Sequence, residues 1–434
     1  MAGLVVLSFA FMLAQSLTPP ETAITSYIDA HNGEALALLE KVVNINSGSM
    51  NLAGVRAVGD VFRAEFDRLG FKTTWVDGAA FKRAGHLIAD HPGRGPRILL
   101  IGHLDTVFEP DSPFQKFQRI DEKTAKGPGI IDMKGGDVII VQALRALKAA
   151  GVEDMNVVVV MTGDEEDTGE PQRLARAALV EAAKGAEYAL GFEDGPGDPR
   201  YAVTARRGTS AWKLEVKGNP AHSSQIFRSD VGYGAVYEIA RVLDGFRQRL
   251  AGEEFLTFNP GVVLGGTSVE LDGAQSRGSA AGKTNVVAEH AVAIGDLRTL
   301  SKDQLERART VMREVAAASL GHTQSTLTFE EGYPSLSPTE GNAKLLALYD
   351  RASQDLGFGA VTAASPARAG AADVSFVAGE VASIIDGIGL MGHDDHTPGE
   401  TADLSTLPSQ TKRAAILMYR LMRVHTIDPA IALK

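Results

Sequence analysis

The stretch VVVVMTGDEE, residues 157–166, joins an uninterrupted apolar run to three acidic side chains. A short run of valines is typical of a strand that is buried on both faces of a parallel sheet. Glu165 and Glu166 would then lie at the carboxyl edge of that sheet, where open α/β sheets bind ligands. Two neighbouring carboxylates stay ionised together only near a cation or in good contact with water, because each raises the pKa of the other. An isolated pair of acidic residues more commonly lies in a solvated turn than beside a cation. The residues at the other strand ends therefore have to distinguish these two cases.

Length and composition place the chain among ordinary globular proteins. Its 434 residues exceed one typical domain, and a hydrophobic content of 44% with a charged content of 22% argues against disorder. The formal net charge of -11 argues against a protein that binds nucleic acid. Cysteine is absent, which excludes disulfides, thiolate nucleophiles and Cys-bound zinc. Any metal site therefore has to use histidine and carboxylate ligands.

The amino terminus has the pattern of a secretory leader. Leu4 to Ala14 is an apolar run too short to span a bilayer, and Ala14-Gln15-Ser16 places small residues at a suitable cleavage spacing. We expect residues 1–24 to form a signal peptide and leader, which predicts a periplasmic or secreted protein without a membrane span after cleavage. The run lacks a preceding Lys or Arg, so a buried amino-terminal helix is the alternative. An uncleaved leader would leave the protein in the cytoplasm.

Helix-like and strand-like segments alternate from about residue 25 to residue 201 and return near the carboxyl terminus. This rhythm indicates βαβ units and a mostly parallel sheet, so we expect an α/β domain built from residues 25–206 and 331–434. The strand-like runs are Ile98–Ile101, Asn156–Met161, Tyr188–Phe192 and Ala382–Ile385, and the helix-like stretches are Thr25–Val43, Gly135–Ala150, Glu340–Leu356 and Leu407–Val424.

Between these two parts, residues 207–330 follow a different order. The pattern reads βαββαβ, which is the order of a ferredoxin-like unit with two helices on one face of an antiparallel sheet. We expect this α+β unit to be a second domain inserted into the first. Its predicted strands are Thr209–Val216, Gly261–Glu270, Val286–Leu297 and Ser325–Glu330, and its predicted helices are Val231–Leu250 and Lys302–Ser319.

Polar residues with metal-binding side chains follow several of the predicted strands. His103 and Asp105 come after the run that ends at Ile101, and residues two apart in extended chain point the same way. Asp105 can therefore accept a hydrogen bond from the ring nitrogen of His103 that does not face a metal. A histidine paired with a neighbouring aspartate for structural reasons is an equally common arrangement.

Three further segments complete the set. Asp132 lies in the glycine-rich segment 127–136, where it could cap a helix or bridge two ions with its two oxygens. Glu193 directly follows a strand, and the polar loop 392–400 contains both His393 and His396. Two histidines, three carboxylates and a spare glutamate fit a pair of divalent ions about 3.5 Å apart. Nitrogen and oxygen ligands favour zinc, with cobalt or manganese as alternatives, over calcium.

These motifs occur in the same order in the dizinc metallopeptidases that include glutamate carboxypeptidase, aminoacylase and succinyl-diaminopimelate desuccinylase. The chain resembles that family over almost its whole length after the leader, and the glutamate carboxypeptidase branch most closely. The resemblance implies that the sheet-edge residues divide their roles as follows: His103 and Glu193 bind one metal, Glu166 and His396 bind the other, Asp132 bridges both, Glu165 is the general base, and Asp105 is the partner of His103.

The resemblance also assigns residues in the inserted domain, which it makes a lid and dimerisation domain. His222, within Asn219-Pro220-Ala221-His222-Ser223, stabilises the oxyanion in the family, often across a homodimer. Asn285 and Arg298 match positions that hold the substrate carboxylate. His396 fits the family's spacing to a following glutamate, Glu400, while His393 is the competing ligand.

The resemblance predicts hydrolysis of an amide or peptide bond next to a free carboxylate, with a small peptide or an N-acyl amino acid as substrate. The alternatives on the same site are an N-acyl amino acid deacylase and an aminopeptidase. A dinuclear phosphoesterase belongs to another reaction class, because two-metal sites also cleave phosphate esters. A binding protein that retains the fold without catalysis is a third reading, and the presence of Glu165 beside Glu166 weighs against it.

Overall fold

The computed structural model describes residues 17–272 and 276–423. The predicted signal sequence and cleavage site lie in residues 1–16, outside the described residues. Among the residues that the structure does describe, no helix has the length and apolar character needed to cross a membrane.

The chain divides into two compact units. Unit 1 comprises Met1–Thr204, Thr339–Ala364 and Gly379–Lys434, and unit 2 comprises Ala205–Pro338 and Ser365–Ala378. The segment 365–378, predicted to belong to the catalytic domain, thus lies in unit 2. There Arg206 Nη1 donates a 2.8 Å hydrogen bond to the Gly370 carbonyl oxygen, and the rings of Tyr333 and Phe376 lie 4.9 Å apart.

The helices of the described chain are numbered in chain order. They are α1 Pro19–Ala30, α2 Asn32–Val43, α3 Leu52–Leu69, α4 Gly135–Ala149, α5 Gln172–Ala175, α6 Ala177–Ala183, α7 Gly234–Leu250, α8 Lys302–Ala317, α9 Glu340–Asp355 and α10 Thr406–Leu421.

The strands are numbered in the same way. They are β1 Lys72–Asp77, β2 Gly85–His91, β3 Ile98–His103, β4 Gln118–Arg119, β5 Thr124–Lys126, β6 Val157–Thr162, β7 Tyr188–Gly191, β8 Tyr201–Ala202, β9 Gly208–Gly218, β10 Thr257–Gly266, β11 Ser268–Asp272, β12 Arg277–Ala281, β13 His290–Thr299, β14 Thr323–Glu331, β15 Thr362–Ala363, β16 Ser383–Ile385, β17 Gly392–His393 and β18 Thr401–Asp403.

Unit 1 contains a six-stranded sheet in the order β1-β2-β6-β3-β7-β16. Strands β6, β3, β7 and β16 run parallel, whereas β2 pairs antiparallel with both β1 and β6. All six residues of β3 and of β6 are buried, which explains why both strands are apolar without alternation. The expected mixed α/β fold with a mostly parallel sheet is confirmed.

Helix α1 belongs to the folded unit although part of it was predicted to be leader. The Thr18 N–H donates to Glu21 Oε2 at 2.8 Å in a capping box at the start of the helix. The other oxygen, Glu21 Oε1, accepts a 2.7 Å hydrogen bond from Arg420 of α10, and Ile24 and Ile28 are buried in the core. The folded chain therefore begins before residue 25.

The predicted helix Thr25–Val43 is two helices in the structure. α1 ends at Ala30 and α2 begins at Asn32, because His31, with φ of -112° and ψ of 15°, departs from helical geometry. The ring of His31 stacks on that of Tyr27 with 3.9 Å between the centroids.

Unit 2 contains a four-stranded antiparallel sheet in the order β10-β13-β9-β14. Trp212, Leu214 and Val216 alternate along β9 with more exposed residues and belong to the buried cluster that α7 and α8 share with the sheet. The βαββαβ order agrees with the predicted ferredoxin-like arrangement. The two-stranded ribbon of β11 and β12, which lies between β10 and β13 in sequence, was not predicted. The sequence pattern predicted Gly261–Glu270 as one strand.

Candidate metal centre

The carboxyl ends of three parallel strands lie side by side in unit 1. β3 pairs in register with β6 on one side and with β7 on the other. β3 ends at His103, β6 is followed by residues 163–166, and β7 is followed by Phe192 and Glu193. The pairing of the strands therefore brings these polar residues to one edge of the sheet, as the sequence predicted.

The first group of possible ligands contains His103, Asp132 and Glu193. His103 Nε2 lies 2.9 Å from Asp132 Oδ1 and 3.7 Å from Glu193 Oε1. The other ring nitrogen, Nδ1, donates a 3.1 Å hydrogen bond to the carbonyl oxygen of Asp105. In the neutral ring the proton is therefore on Nδ1, and the lone pair of Nε2 faces the two carboxylates. One ligand atom from each residue lies within 4.8 Å of the others, close enough to hold one ion.

The second group contains Asp132, Glu166 and His396. His396 Nε2 lies 2.8 Å from Asp132 Oδ2 and 3.1 Å from Glu166 Oε2. Asp132 thus belongs to both groups and offers a different oxygen to each histidine. Glu166 Oε1 is buried without a hydrogen-bond partner, an arrangement that costs free energy unless a cation is bound there.

Carboxylates around the two histidines raise the pKa of both rings in the metal-free protein. Burial alone would lower the pKa of His103, but the charge of Glu193 and the hydrogen bonds of Asp105 and Asp132 raise it well above its usual value. Hydrogen bonds to Asp132 and Glu166 raise the pKa of His396 to about 11. Binding of a metal by these ring nitrogens would therefore have to displace a proton.

The acidic residues show the complementary effect. Burial raises the pKa of Glu166 to about 7, and the charge of Asp132 adds to this increase. Burial also raises the pKa of Glu193 well above its usual value, with contributions from the charges of Asp132 and Glu165. A divalent cation would reverse both effects by favouring the ionised carboxylates. The residues present therefore fit a pair of divalent metal ions.

Asp105 connects His103 to the acidic pair. Its fully buried carboxylate has Oδ1 3.5 Å from His103 Nδ1 and Oδ2 2.5 Å from the Ser49 hydroxyl, which donates to it. The same carboxylate accepts hydrogen bonds from the backbone N–H groups of Glu165 at 3.0 Å and Glu166 at 3.1 Å. Asp105 therefore contacts both His103 and the acidic pair. The Nδ1–H of His103 bonds to the carbonyl oxygen of Asp105 and not to its carboxylate, which was the predicted acceptor. The contact of the carboxylate with the backbone N–H groups of Glu165 and Glu166 was not predicted, because its donors are backbone groups.

The three consecutive acids at 164–166 have different surroundings. Asp164 is buried and forms an ion pair with Arg176, whose Nη1 lies 2.5 Å from Asp164 Oδ1. Asp164 Oδ2 also accepts a 2.9 Å hydrogen bond from the Gly169 N–H. Asp164 therefore fixes the loop between itself and Gly169. Glu166 instead lies against His396, and, beyond the effect of burial, the charge of Glu165 raises the pKa of Glu193. Arg176 lies outside the motifs, and no signal in the sequence identified it.

Two alternatives that the sequence left open are distinguished by geometry. Asp132 does not cap a helix, since α4 begins at Gly135 and both Asp132 oxygens face histidines. Neither of the ligand groups found among the described residues includes His393, which is exposed in β17. The structure thus brings His396 rather than His393 to Asp132.

The predicted residues of the inserted domain all lie in unit 2. His222 is exposed, and its Nδ1 accepts hydrogen bonds from the hydroxyl of Ser224 at 2.8 Å and from its backbone N–H at 3.3 Å. The proton of the neutral ring is therefore on Nε2. The Ser223 N–H donates to the Asn285 carbonyl oxygen at 2.9 Å, so the backbone at Asn285 lies beside the His222 turn.

Arg298 lies away from Asn285. Asn285 precedes β13, whereas Arg298 is near the far end of that strand, eight residues beyond His290. At about 3.3 Å per residue these strand positions are about 26 Å apart. Arg298 instead donates to Asp296 Oδ2 at 3.0 Å. Asn285 and Arg298 of one chain therefore do not meet around a single substrate carboxylate.

The two histidines of the carboxyl-terminal loop give a matched test of this geometry. We expect His396→Ala to lose one of two bound metal ions and most hydrolytic activity, because it removes a ligand atom next to Asp132 and Glu166. His393→Ala should keep both metal ions and the hydrolytic activity. Metal content after dialysis, measured by mass spectrometry, checks this expectation. The reverse pattern would assign the ligand to His393.

Comparison with known proteins identifies the family of this chain. Residues 99–421 match Peptidase family M20/M25/M40. Carboxypeptidase G2 of Pseudomonas sp. (strain RS-16) is 26% identical over 391 residues, which cover 88% of this chain and 88% of that protein.

Solved structures show the same fold. The aminopeptidase PepT from Bacillus cereus ATCC 10987 is 18% identical, with 90% of this chain and 98% of that chain covered and a TM-score of 0.72. The Bacillus subtilis YXEP protein, described as a dinuclear metal binding peptidase from the M20 family, is 17% identical, with 91% and 99% covered and a TM-score of 0.63. From the family match over most of its length, the chain belongs to Peptidase family M20/M25/M40 and is a metallopeptidase.

Proposed function

We propose that this metallopeptidase hydrolyses an amide or peptide bond next to a free carboxylate, as a glutamate carboxypeptidase does. The observation that carries the proposal is the pair of ligand groups that share Asp132 at the sheet edge. The identity of 26% to Carboxypeptidase G2 over 88% of each chain supports the carboxypeptidase class.

The proposed ligands follow the two groups. His103 and Glu193 would hold one ion, Glu166 and His396 the other, and Asp132 both. Two nitrogens and three carboxylates favour zinc, with cobalt or manganese as alternatives. A pair of such ions supplies Lewis acidity and lowers the pKa of water.

Glu165 is the proposed general base. It directly precedes the proposed ligand Glu166 in sequence, and its backbone N–H donates a 3.0 Å hydrogen bond to Asp105 Oδ1. In this role the Glu165 carboxylate removes a proton from the attacking water and returns it to the leaving amine. Asp105 acts through its neighbours, because it orients the His103 ring and the backbone of the acidic pair.

His222 is the proposed donor to the developing oxyanion. The hydrogen bonds that Nδ1 accepts from Ser224 leave the Nε2–H to donate to an oxygen of the substrate. Asn285, next to the His222 turn, remains the candidate for contact with the substrate carboxylate. Arg298 remains a second candidate for contact with the substrate carboxylate, separate from Asn285 of the same chain, since it lies at the other end of β13 and pairs with Asp296.

A homodimer is part of the proposal. In unit 2, Phe227, Tyr233, Val236 and Tyr237 are exposed large apolar side chains, and β10 is the terminal strand of its sheet. Exposed apolar side chains beside an unpaired strand edge are typical of an interface. Sedimentation velocity at assay concentration should give the mass of a dimer. A monomer throughout the concentration range would remove this part of the proposal.

The competing substrates can be separated by direct assay. N-acyl amino acids, dipeptides with a free amino terminus and peptides with a carboxyl-terminal glutamate should be compared with added zinc and after chelation. We expect release of the carboxyl-terminal amino acid to be fastest and to stop with chelator. Faster cleavage of N-acyl amino acids or of the amino-terminal residue would favour the deacylase or the aminopeptidase. Hydrolysis of phosphate esters alone would contradict the peptidase assignment for this site.

The roles of the two adjacent glutamates predict different defects. Glu165→Gln should retain two metal ions and lower kcat by about 10²- to 10⁴-fold, because it removes the proton acceptor but no ligand. Glu166→Gln, the matched neighbour, should lose metal as well as activity. Metal analysis and steady-state kinetics on both variants check this difference. Turnover near the wild-type value in Glu165→Gln would contradict its role as base.

A further inference from the structure

A buried carboxylate from a distant part of the chain holds the loop that carries Asp132. Glu400 is fully buried. Its Oε2 accepts a 2.9 Å hydrogen bond from the Gly129 N–H, and its Oε1 accepts hydrogen bonds from the Ile131 N–H at 2.9 Å and the Asp132 N–H at 3.3 Å. Glu400 and Asp132 are 268 residues apart in sequence, so this contact depends on the fold.

The backbone of this loop needs such an acceptor. Gly129 has a φ of 69°, and Asp132 has a φ of -113° and a ψ of 90°, so the segment departs from helical geometry before α4 begins. Its N–H groups therefore lack a regular helical ladder, and buried N–H groups without an acceptor are costly. The two oxygens of Glu400 accept from three of these groups.

Strand pairing explains how Glu400 reaches the loop. β18 begins at Thr401, which is paired with Lys126 at the end of β5. The next residue, Gly127, donates its N–H to the Glu400 carbonyl oxygen at 3.4 Å. The antiparallel pair β5 and β18 thus places Glu400 directly beside the start of the Asp132 loop.

The same short loop also presents His396. The Glu400 N–H donates to the Thr397 carbonyl oxygen at 3.0 Å, and the Thr397 hydroxyl donates to the Asp394 carbonyl oxygen at 2.8 Å. One end of this turn contacts the Asp132 side chain through His396 Nε2, and the other end contacts its backbone N–H through Glu400. Asp132 is therefore held from two directions by residues only four positions apart.

We propose that Glu400 is a positioning residue that fixes Asp132 between the two histidines and thereby supports the binding of both metal ions. This inference rests on the proposed dinuclear site. Because Asp132 is shared, a shift of its loop changes both ligand groups together. Glutamine at position 400 can keep an acceptor at the Oε1 position, but its amide NH₂ would then face the Gly129 N–H.

The test compares Glu400→Gln with Glu238→Gln in the full chain. Glu238 is also fully buried, lies in unit 2, and accepts hydrogen bonds from the Leu320 N–H at 3.0 Å and the Ser325 hydroxyl at 2.8 Å. Zinc affinity is measured by competition with a chromophoric chelator, and the Tm of each metal-free protein is measured in parallel. Glu400→Asp, which keeps the carboxyl group and shortens the side chain, decides the question if Glu400→Gln does not fold.

We expect Glu400→Gln and Glu400→Asp to weaken binding of both zinc equivalents by about 10- to 100-fold, the range for residues that orient metal ligands. Glu238→Gln should lower the Tm and leave zinc affinity unchanged. Zinc affinity within twofold of wild type in the folded Glu400 variants, or an equal loss in Glu238→Gln, would overturn the inference. A wild-type protein that binds fewer than two zinc ions would instead refute the proposed dinuclear site.

Discussion

One carboxylate, that of Asp132, lies between two histidine side chains and offers each a different oxygen. The rest of unit 1 makes this position possible. The paired strands β3, β6 and β7 bring His103, Glu166 and Glu193 to one edge, and Asp105 orients the first two of these. Glu400 and His396 then hold Asp132 from the carboxyl-terminal loop.

The electrostatic cost of this arrangement explains why it suits a metal centre. Burial raises the pKa values of Glu166 and Glu193, and a Glu166 oxygen is buried without a partner. In the metal-free protein, protons on His103 and His396 compensate part of the negative charge. Divalent ions would replace these protons and satisfy the carboxylates together, so binding of metal would stabilise the fold.

Much of this site could be predicted from sequence, because each proposed ligand follows an apolar strand, lies in a dense polar loop or, for Asp132, lies in a glycine-rich segment. Local patterns gave less information where a contact depends on backbone donors or distant residues, as for Asp105 with the acidic pair and for Arg176 with Asp164. The predicted elements also omitted α3, β1 and β2, although the Asn51 cap and the left-handed Gly70 mark both ends of α3. Asn285 and Arg298 were assigned together by their match to family positions, and such a match does not encode their distance along β13 within one chain.

In the proposed centre, Asp132 would bridge two ions. Anomalous diffraction at the zinc edge, from crystals grown with zinc, tests it most directly. We predict two peaks about 3.5 Å apart, one contacted by His103 and Glu193 and the other by Glu166 and His396, with one Asp132 oxygen on each. A single peak, or two peaks without a shared contact to Asp132, would contradict it.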